Sequence, residues 1–399
     1  MAAGLVLAGK GTRFSQTLEL IDLETGQSQT LREGAYPAWS PSGHILFQTA
    51  PRSPGLWALP FSLRTRKAEG EPVPLLNGGS DFSASADGTL VWADAGIGGL
   101  RKLVWRDRSG KKLADTGSPQ TDIQYLSLSP DGAQAAYAAA EGGNQDVWIV
   151  ELAHAVRTRF TFTPEVDRSP TWTPSGREIA FSSQRSDRSD ILVQPSDGSG
   201  EPKAVVSGPL TQFATGWSPD GMTLLFHRVD PKTGLDLWKV RRKADGTFEQ
   251  PSVWLQSPFG ESRGSFSPDG RYVLYVSNES GRNEVYVRSF PDGGGRRQVS
   301  SGGGENPRWR RDGKEIFYVQ GDALIAVEVN AAGDSLAIGA ATELLRSPGL
   351  VGMISPSYDA APDGKRFLIS EPAGENTKPP AIHVIQNWAA LPRQKAGSE

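Results

Sequence analysis

The chain contains no cysteine. Disulfides, thiolate nucleophiles and cysteine-ligated zinc are therefore excluded. Histidine is scarce: only His44, His154, His227 and His383 occur, and none forms an HxxH or HExxH pair. A histidine-rich metal site is not expected, and no cofactor is implied. No apolar run approaches the roughly 18–20 residues needed to cross a bilayer. The opening "MAAGLVLAGKGTRF" has a short apolar patch with no basic stretch before it, so it does not read as a signal peptide. With a net charge of −3 and no basic stripe, nucleic acid is not an expected partner.

Turn-forming residues are abundant, with 46 Gly and 29 Pro in 399 residues, and there are 11 Trp. This composition favours many short elements over long helices. Their order is repetitive. "YPAWSPSGHILF" begins at Tyr36, "DFSASADGTLVW" at Asp81, "LSLSPDGAQAAY" at Leu126 and "SPTWTPSGREIAF" at Ser169. "ATGWSPDGMTLLF" begins at Ala214, "GSFSPDGRYVLY" at Gly264, "NPRWRRDGKEIFY" at Asn306 and "SYDAAPDGKRFLI" at Ser357. The eight turn glycines are Gly43, Gly88, Gly132, Gly176, Gly221, Gly270, Gly313 and Gly364, spaced by 45, 44, 44, 45, 49, 43 and 51 residues. A period near 45 suits one propeller blade of four short strands.

The physics of one repeat is readable. Alternating aromatic and small residues give a first strand, with Trp39, Trp172, Trp217, Phe266 and Trp309 in one slot. In the SPDG turn, Pro presets φ, Asp or Ser takes the next place, and Gly accepts the left-handed conformation. A strongly apolar second strand follows, then a third led by an acid (Asp146, Asp190, Asp236, Glu284) and a more polar fourth. Such a meander cannot bury both faces alone, so blades must stack radially. The expected fold is an all-β propeller of four-stranded antiparallel blades in one domain over residues 1–390. Eight blades are expected, with seven as the alternative, and 391–399 form a frayed tail. Thr17–Leu31 reads as the third and fourth strands of a repeat lacking its first two. The chain's two ends are therefore expected to share a blade and close the ring.

These SPDG units resemble TolB-like, WD40-like (PD40) propeller repeats of bacteria. "SNESGRNEVYVRSFPDGGGRRQVSSGGGENPRWRRDGKEIFYV" (Ser277 to Val319) looks like the propeller that follows the kinase and membrane segments in a family of bacterial serine/threonine kinases. "LVWRDRSGK", "VWLQSPFGESRGSFSPDG", "LWALPFSLRTRKAEGEPVPLL" and "IHVIQNW" extend the resemblance to roughly residues 55–390. No HRDxxxxN, DFG or VAIK motif is present, so kinase activity transfers to no residue here. The resemblance implies a sensing or protein-interaction module, extracytoplasmic in relatives. The compartment of this chain stays open.

Several motifs suggest chemistry. "GLVLAGKGT" (Gly4 to Thr12) nearly fits a phosphate-binding loop, but Gly11 replaces Ser or Thr and no helix follows. "GESRG" (Gly260 to Gly264) matches GxSxG, which needs a strand-to-helix elbow with His and an acid nearby; here it leads into a repeat. Asn278–Ser280 is a formal glycosylation sequon without implied use, and Gly302–Gly304 reads as a flexible loop. The turn acids Asp131, Asp220, Asp269, Asp312 and Asp363 could suggest calcium, but capping their own turns is the simpler role.

Candidate binding residues follow from propeller geometry, because loops leading into first strands cluster at one channel mouth. They are Tyr36, Asp81, Tyr125, Arg168, Phe213, Arg263, Glu305 and Asn306. Aromatics, arginines and acids on one rim could grip a peptide or an anionic group; the simpler alternative is ordinary solvated loops. The expected function is a non-catalytic, monomeric binding or sensor module for a protein, peptide or envelope ligand. A hydrolase or lyase built in the channel is the rival, and a structural scaffold of TolB type is the third reading.

Overall fold

The computed structural model describes residues 5–12, 15–48, 55–77, 80–93, 99–141, 144–185, 188–332, 335–351, 355–374 and 382–388. Every regular element among them is a β-strand. The tail expected from Leu391 lies outside the described residues. The chain separates into two compact units: a terminal unit, Met1–Gly99 with Gly374–Glu399, and a central unit, Leu100–Ala373.

The central unit is built from repeats of one meander. Four-stranded sheets follow in order: Asp167–Trp172 to Lys203–Val206, Gln212–Trp217 to Ser252–Leu255, Glu261–Phe266 to Arg297–Gln298, and Glu305–Trp309 to Ser335–Arg346. The remaining strands form a seven-stranded sheet. Its long strand Lys112–Leu128 serves two meanders. The first half pairs with Leu100–Asp107, and the second with Gln134–Glu141. On the far edge, Arg366–Pro372 pairs with Leu100–Asp107, with Trp105 opposite Leu368. The last strands of this unit thus share a sheet with its first.

Burial follows the alternation. The second strands each carry a continuous apolar run, as in Tyr272–Ser277, because both sheet faces are covered there. Tyr272, Leu274, Val285 and Val287 pack on Ile316, Tyr318, Ile325 and Val327 of the next sheet. Phe317 and Phe367 meet edge-to-face at 5.1 Å between centroids. Each such large side chain stabilises the fold by about 1.5–3 kcal/mol.

The SPDG turns are stitched by their own residues. Gly132 N donates to Ser129 O at 2.8 Å, Ser129 Oγ donates to Asp131 at 2.6 Å, and Ala133 N donates to Asp131 Oδ1 at 3.0 Å. The serine hydroxyl and then the backbone amide hold the Asp131 carboxyl below its ordinary range, and Ser218 does the same for Asp220. Amides of Arg271, Lys314 and Lys365 likewise cap Asp269, Asp312 and Asp363. Among the described residues no group of three or more His, Cys, Asp or Glu could hold a metal. The turns also touch one another. A Cβ built on Gly176, Gly221, Gly270 or Gly313 would lie 3.5–3.8 Å from the turn proline one repeat earlier. A Cβ on Gly132 would lie 3.0 Å from Pro362 Cδ, in the last repeat.

The terminal unit is less regular. Leu5–Thr12, Ser15–Asp22 and Ser28–Glu33 form a three-stranded sheet. Ala35–Ser40, His44–Gln48 and Gly55–Ser62 begin a five-stranded one. Ser80–Ala84 and Leu90–Ala93 are joined by Ile382–Ile385. Trp388 is fully buried against Leu46, Leu56, Leu75 and Leu90. The expected sharing of one blade by the chain's ends is not what these pairings give. Thr17–Leu31 pairs with Leu5–Thr12, whereas Ile382–Ile385 pairs with Leu90–Ala93. Leu5–Thr12 is a strand whose backbone is engaged in pairing, so it is no phosphate-binding loop.

Candidate functional site

Five first strands of the central unit carry an irregularity at one place. The register slips between Gln124 and Ser127, Arg168 and Thr171, Ala214 and Gly216, Ser262 and Ser265, and Glu305 and Arg308. Seven residues before the turn glycine stand Tyr125, Ser169, Ala214, Arg263, Asn306 and Ser357. Four of these have left-handed φ: +55° at Tyr125, +56° at Ser169, +61° at Arg263 and +50° at Asn306. Such conformations are uncommon outside glycine. A bulge breaks the in-out alternation and re-aims a side chain.

Six of the eight residues expected at the mouth belong to this unit; two of them touch, and of three more, Tyr125 and Glu305 lie within electrostatic reach of Arg263. The Arg168 guanidinium lies 5.0 Å from the Phe213 ring centroid and donates to Gln184 Oε1 at 3.2 Å. Phe213 in turn lies 5.0 Å from the His227 ring. His227 is buried, and burial followed by the nearby Arg263 charge pushes it down to about 3. Arg263 is itself pushed below the ordinary arginine range by burial, with Tyr125, Glu305 and Arg308 within electrostatic reach. Tyr125 and Arg263 come from non-adjacent sheets, so first strands distant in sequence converge here. Glu305 accepts from Asn283 Nδ2 at 2.6 Å. The sixth, Asn306, is 2% exposed, and its carbonyl accepts the Tyr358 hydroxyl at 3.0 Å.

Tyr36 and Asp81 are not part of this cluster. Both belong to the terminal unit. Tyr36 is exposed, with φ +51°. Asp81 lies in strand Ser80–Ala84, and its side chain is outside the described residues.

Sequence reasoning missed Arg308, Asp359 and His227. Arg308 Nε lies 3.4 Å from Asp359 Oδ1. Burial pushes Asp359 up, while Arg308 and the amides of Leu128 (2.8 Å) and Ala360 (2.9 Å) pull the other way. His227 and Arg228 were the available signal, a polar pair interrupting the apolar "TLLF" strand. Ser262 of the GxSxG match lies in a strand opposite Val276, with no elbow. A shallow cleft of about 410 Å³ lies elsewhere, between the turns at Thr173–Ser175 and Pro219–Met222. Its charged wall includes the pair Arg242 Nη1 to Glu178 Oε2 at 2.6 Å.

Residues 125–243 match the TolB beta propeller domain family, PD40. The chain carries a TolB-like β-propeller domain. It is 23% identical over 202 residues to the Tol-Pal system protein TolB of Francisella tularensis subsp. mediasiatica, covering 49% of this chain and 45% of that protein. It is 25% identical over 209 residues to the uncharacterised peptidase YuxL of Bacillus subtilis, covering 50% of this chain and 29% of that protein. The match thus spans less than half the length of either relative. A solved Agrobacterium tumefaciens structure assigned to TolB has 18% identity and a TM-score of 0.55, covering 69% of this chain and 99% of its own. That likeness concerns the fold. Among the described residues no helix is long and apolar enough to cross a membrane.

Proposed function

We propose that the chain is a non-catalytic binding or sensor module whose partner is a protein or peptide, docked where the first strands of the central unit converge. The observation that carries this is the pair of contacts Arg168–Phe213–His227, with Arg263 within electrostatic reach of His227 and Tyr125 and Glu305 within reach of Arg263. Cations interleaved with aromatics suit peptide recognition. Apolar groups surround the same end. Phe162, Phe259 and Val351 are exposed in loops leading into first strands, and Val229 is exposed at the end of a second strand. In a meander these positions share one end of the sheets. Blade number belongs to the same reading. Six of the eight turn motifs lie in the central unit, and the pairing of Arg366–Pro372 with Leu100–Asp107 supports a ring of six closed within it. The Gly132–Pro362 approach supports the same closure.

The rival enzyme reading needs a base near neutral pH. His227, held near 3, is too weak a base to take up a proton there, which leaves Asp167, raised to about 6 by burial, as the group that reading would have to use. The relative named a peptidase favours an enzyme only through its whole length, of which this chain matches 29%. The likeness of Ser277–Val319 to kinase-associated propellers adds a reason to favour a sensor.

The test is capture of partners from envelope and cytoplasmic fractions by the immobilised chain. Capture of one defined protein, lost in Phe162→Ser/Phe259→Ser and retained in Leu113→Ser/Val156→Ser, is expected. Capture that ignores both double variants removes the docking reading. Turnover of a peptide or oligosaccharide panel that Asp359→Asn abolishes replaces it with the enzyme.

A further inference from the structure

We propose that the loops displaying Phe162 and Phe259 are pH-set clasps, each fastened in acid by two buried carboxyls, Asp146 with Asp167 and Asp236 with Glu261, so that the docking surface is ordered in acid and loosened near neutrality. The proposal rests on the docking reading and supplies its regulation.

The two exposed phenylalanines are held in the same way. Each sits in a loop that runs from the fourth strand of one sheet to the first strand of the next. The loop at 160–166 reaches two acids at once. Thr161 Oγ1 donates to Asp146 Oδ1 at 3.4 Å, and Thr163 Oγ1 donates to Asp167 Oδ2 at 3.2 Å. Asn144 Nδ2 ties the two ends together, 3.4 Å from Asp146 Oδ1 and 3.0 Å from the carbonyls of Thr163 and Glu165. Arg159 pairs with Asp146 at 2.8 Å and lies 5.3 Å from the Phe162 ring centroid. The second loop repeats the plan with adjacent residues. Gln256 Nε2 donates to Asp236 Oδ2 at 2.9 Å, and the Ser257 hydroxyl donates to Glu261 Oε1. Ser257 Oγ also accepts from Phe259 N at 3.1 Å.

The acids that anchor these loops are buried, at 0%, 1%, 0% and 3% exposure for Asp146, Asp167, Asp236 and Glu261. Asp236 Oδ1 and Glu261 Oε2 meet no donor among the described residues. A proton supplies a donor and removes a like charge from each site. Burial foremost raises Asp167 to about 6, with Asp146 adding to it and the hydroxyls of Ser183, Thr161 and Thr163 opposing. Burial foremost also raises Glu261, with Asp236 and Glu279 adding and Ser257 opposing. Asp146 is raised by burial against Arg159 and Thr161. The other acids around the two sites have cations of their own: Glu165 with Arg185 at 3.2 Å, Asp190 with Arg188 at 3.8 Å, Glu279 with Arg296 at 2.5 Å and Glu284 with Arg282 at 3.6 Å. Arg168 and Arg263 follow on the same first strands; Arg168 donates to Gln184, and Tyr125 and Glu305 lie within reach of Arg263. In the intervening repeat the same place holds Gln212, fully buried and neutral, and its loop at 207–211 carries no aromatic residue. A raised carboxyl keeps its proton longer in the folded chain. The fastening is therefore complete below about pH 4 and is lost as pH rises, through about 6 at Asp167.

The experiment measures hydrogen exchange of the full chain at about pH 5 and about pH 7.5, each rate divided by the intrinsic rate at that pH. The amides of Phe160, Thr161, Phe259 and Gly260 report, because each is hydrogen-bonded in the fastened loops. Protection about tenfold higher in acid is expected in both loops. Asp167→Asn should hold the loop at 160–166 at its acid protection at both pH values while the loop at 256–260 still responds. Glu261→Gln should do the reverse, and Lys243→Met, on an exposed turn, should alter neither. Phe162-dependent capture should be stronger in acid by about threefold or more. Equal protection at both pH values, a response that survives neutralisation of the loop's own acid, one variant flattening both loops, or capture indifferent to pH overturns the proposal. If protection ignores pH while Phe162-dependent capture persists, only this proposal falls. If protection responds while capture survives Phe162→Ser/Phe259→Ser, the docking reading falls and the clasps stand without it.

Discussion

The two units share a turn and differ in what surrounds it. Gly43 and Gly132 both sit at left-handed φ, +83° and +71°, after the same kind of turn. In the central unit three third strands carry a buried acid near their start that ties down the next loop: Asp146, Asp236 and Glu284. Glu284 accepts from Gly302 N at 2.9 Å, Gly303 N at 2.8 Å and the Ser300 hydroxyl. Asp236 accepts from Thr233 Oγ1 at 2.6 Å and Gln256 Nε2 at 2.9 Å. Asp146 pairs with Arg159 at 2.8 Å. In the terminal unit no acid leads Gly55–Ser62, and its sheets have three, five and three strands. A turn motif makes a hairpin; the acid that fixes the following loop makes the hairpin one of a regular series.

The strongest way to break that comparison is Glu284→Ala. Glu284 is 2% exposed, and its removal leaves two amides and a hydroxyl without an acceptor. A loss of about 3 kcal/mol is expected, read by denaturant unfolding, with hydrogen exchange accelerated in Glu284–Ser289 and Arg297–Gln298. A loss under about 0.5 kcal/mol would show that the acid decorates the sheet rather than fixing its loop.

The second test uses pH. Burial, with Asp146 adding to it, raises Asp167 to about 6. The folded state therefore holds this proton more tightly than the unfolded chain. The resulting stability is complete below about pH 4 and is lost as pH rises through about 6. A tenfold difference in proton affinity is worth about 1.4 kcal/mol, so the whole effect amounts to roughly 3 kcal/mol. Asp167→Asn should flatten the fall in stability between about pH 4 and 6, measured by urea unfolding at each pH. An unchanged slope would place the titrating group elsewhere.

Legibility in the sequence divided along the same line. The eight turns were readable because Pro, Asp and Gly act locally. How the strands divide between units was not, because Arg366–Pro372 meets Leu100–Asp107 across most of the chain. Strand Lys112–Leu128 also runs on through Gly117, Ser118 and Pro119, residues that ordinarily mark a turn, as it passes from one meander to the next. At the site, Tyr125, Arg263 and Asn306 were found because the repeat itself numbers that station. Ser169 and Ser357 occupy it too, but a small hydroxyl draws no notice until its burial is known. Arg168 and Phe213 stand one residue before it, and the contact between them shows why that position still matters.

The finest test compares two glycines. Gly43→Ala forces a left-handed alanine with nothing within 4 Å of the new Cβ, so only the backbone conformation is strained, at about 1–2 kcal/mol. Gly132→Ala carries the same strain, and its Cβ also meets Pro362 Cδ at 3.0 Å and Cγ at 3.2 Å. Overpacking of this kind adds about 1 kcal/mol or more. The excess should appear in the unfolding free energy of Gly132→Ala over Gly43→Ala, and Pro362→Ala in the Gly132→Ala background should remove most of it, because the crowded ring carbons are then gone. If the two glycines cost the same, the last turn does not press on the first, and the proposed closure of the central unit would rest on the pairing of Leu100–Asp107 with Arg366–Pro372 alone.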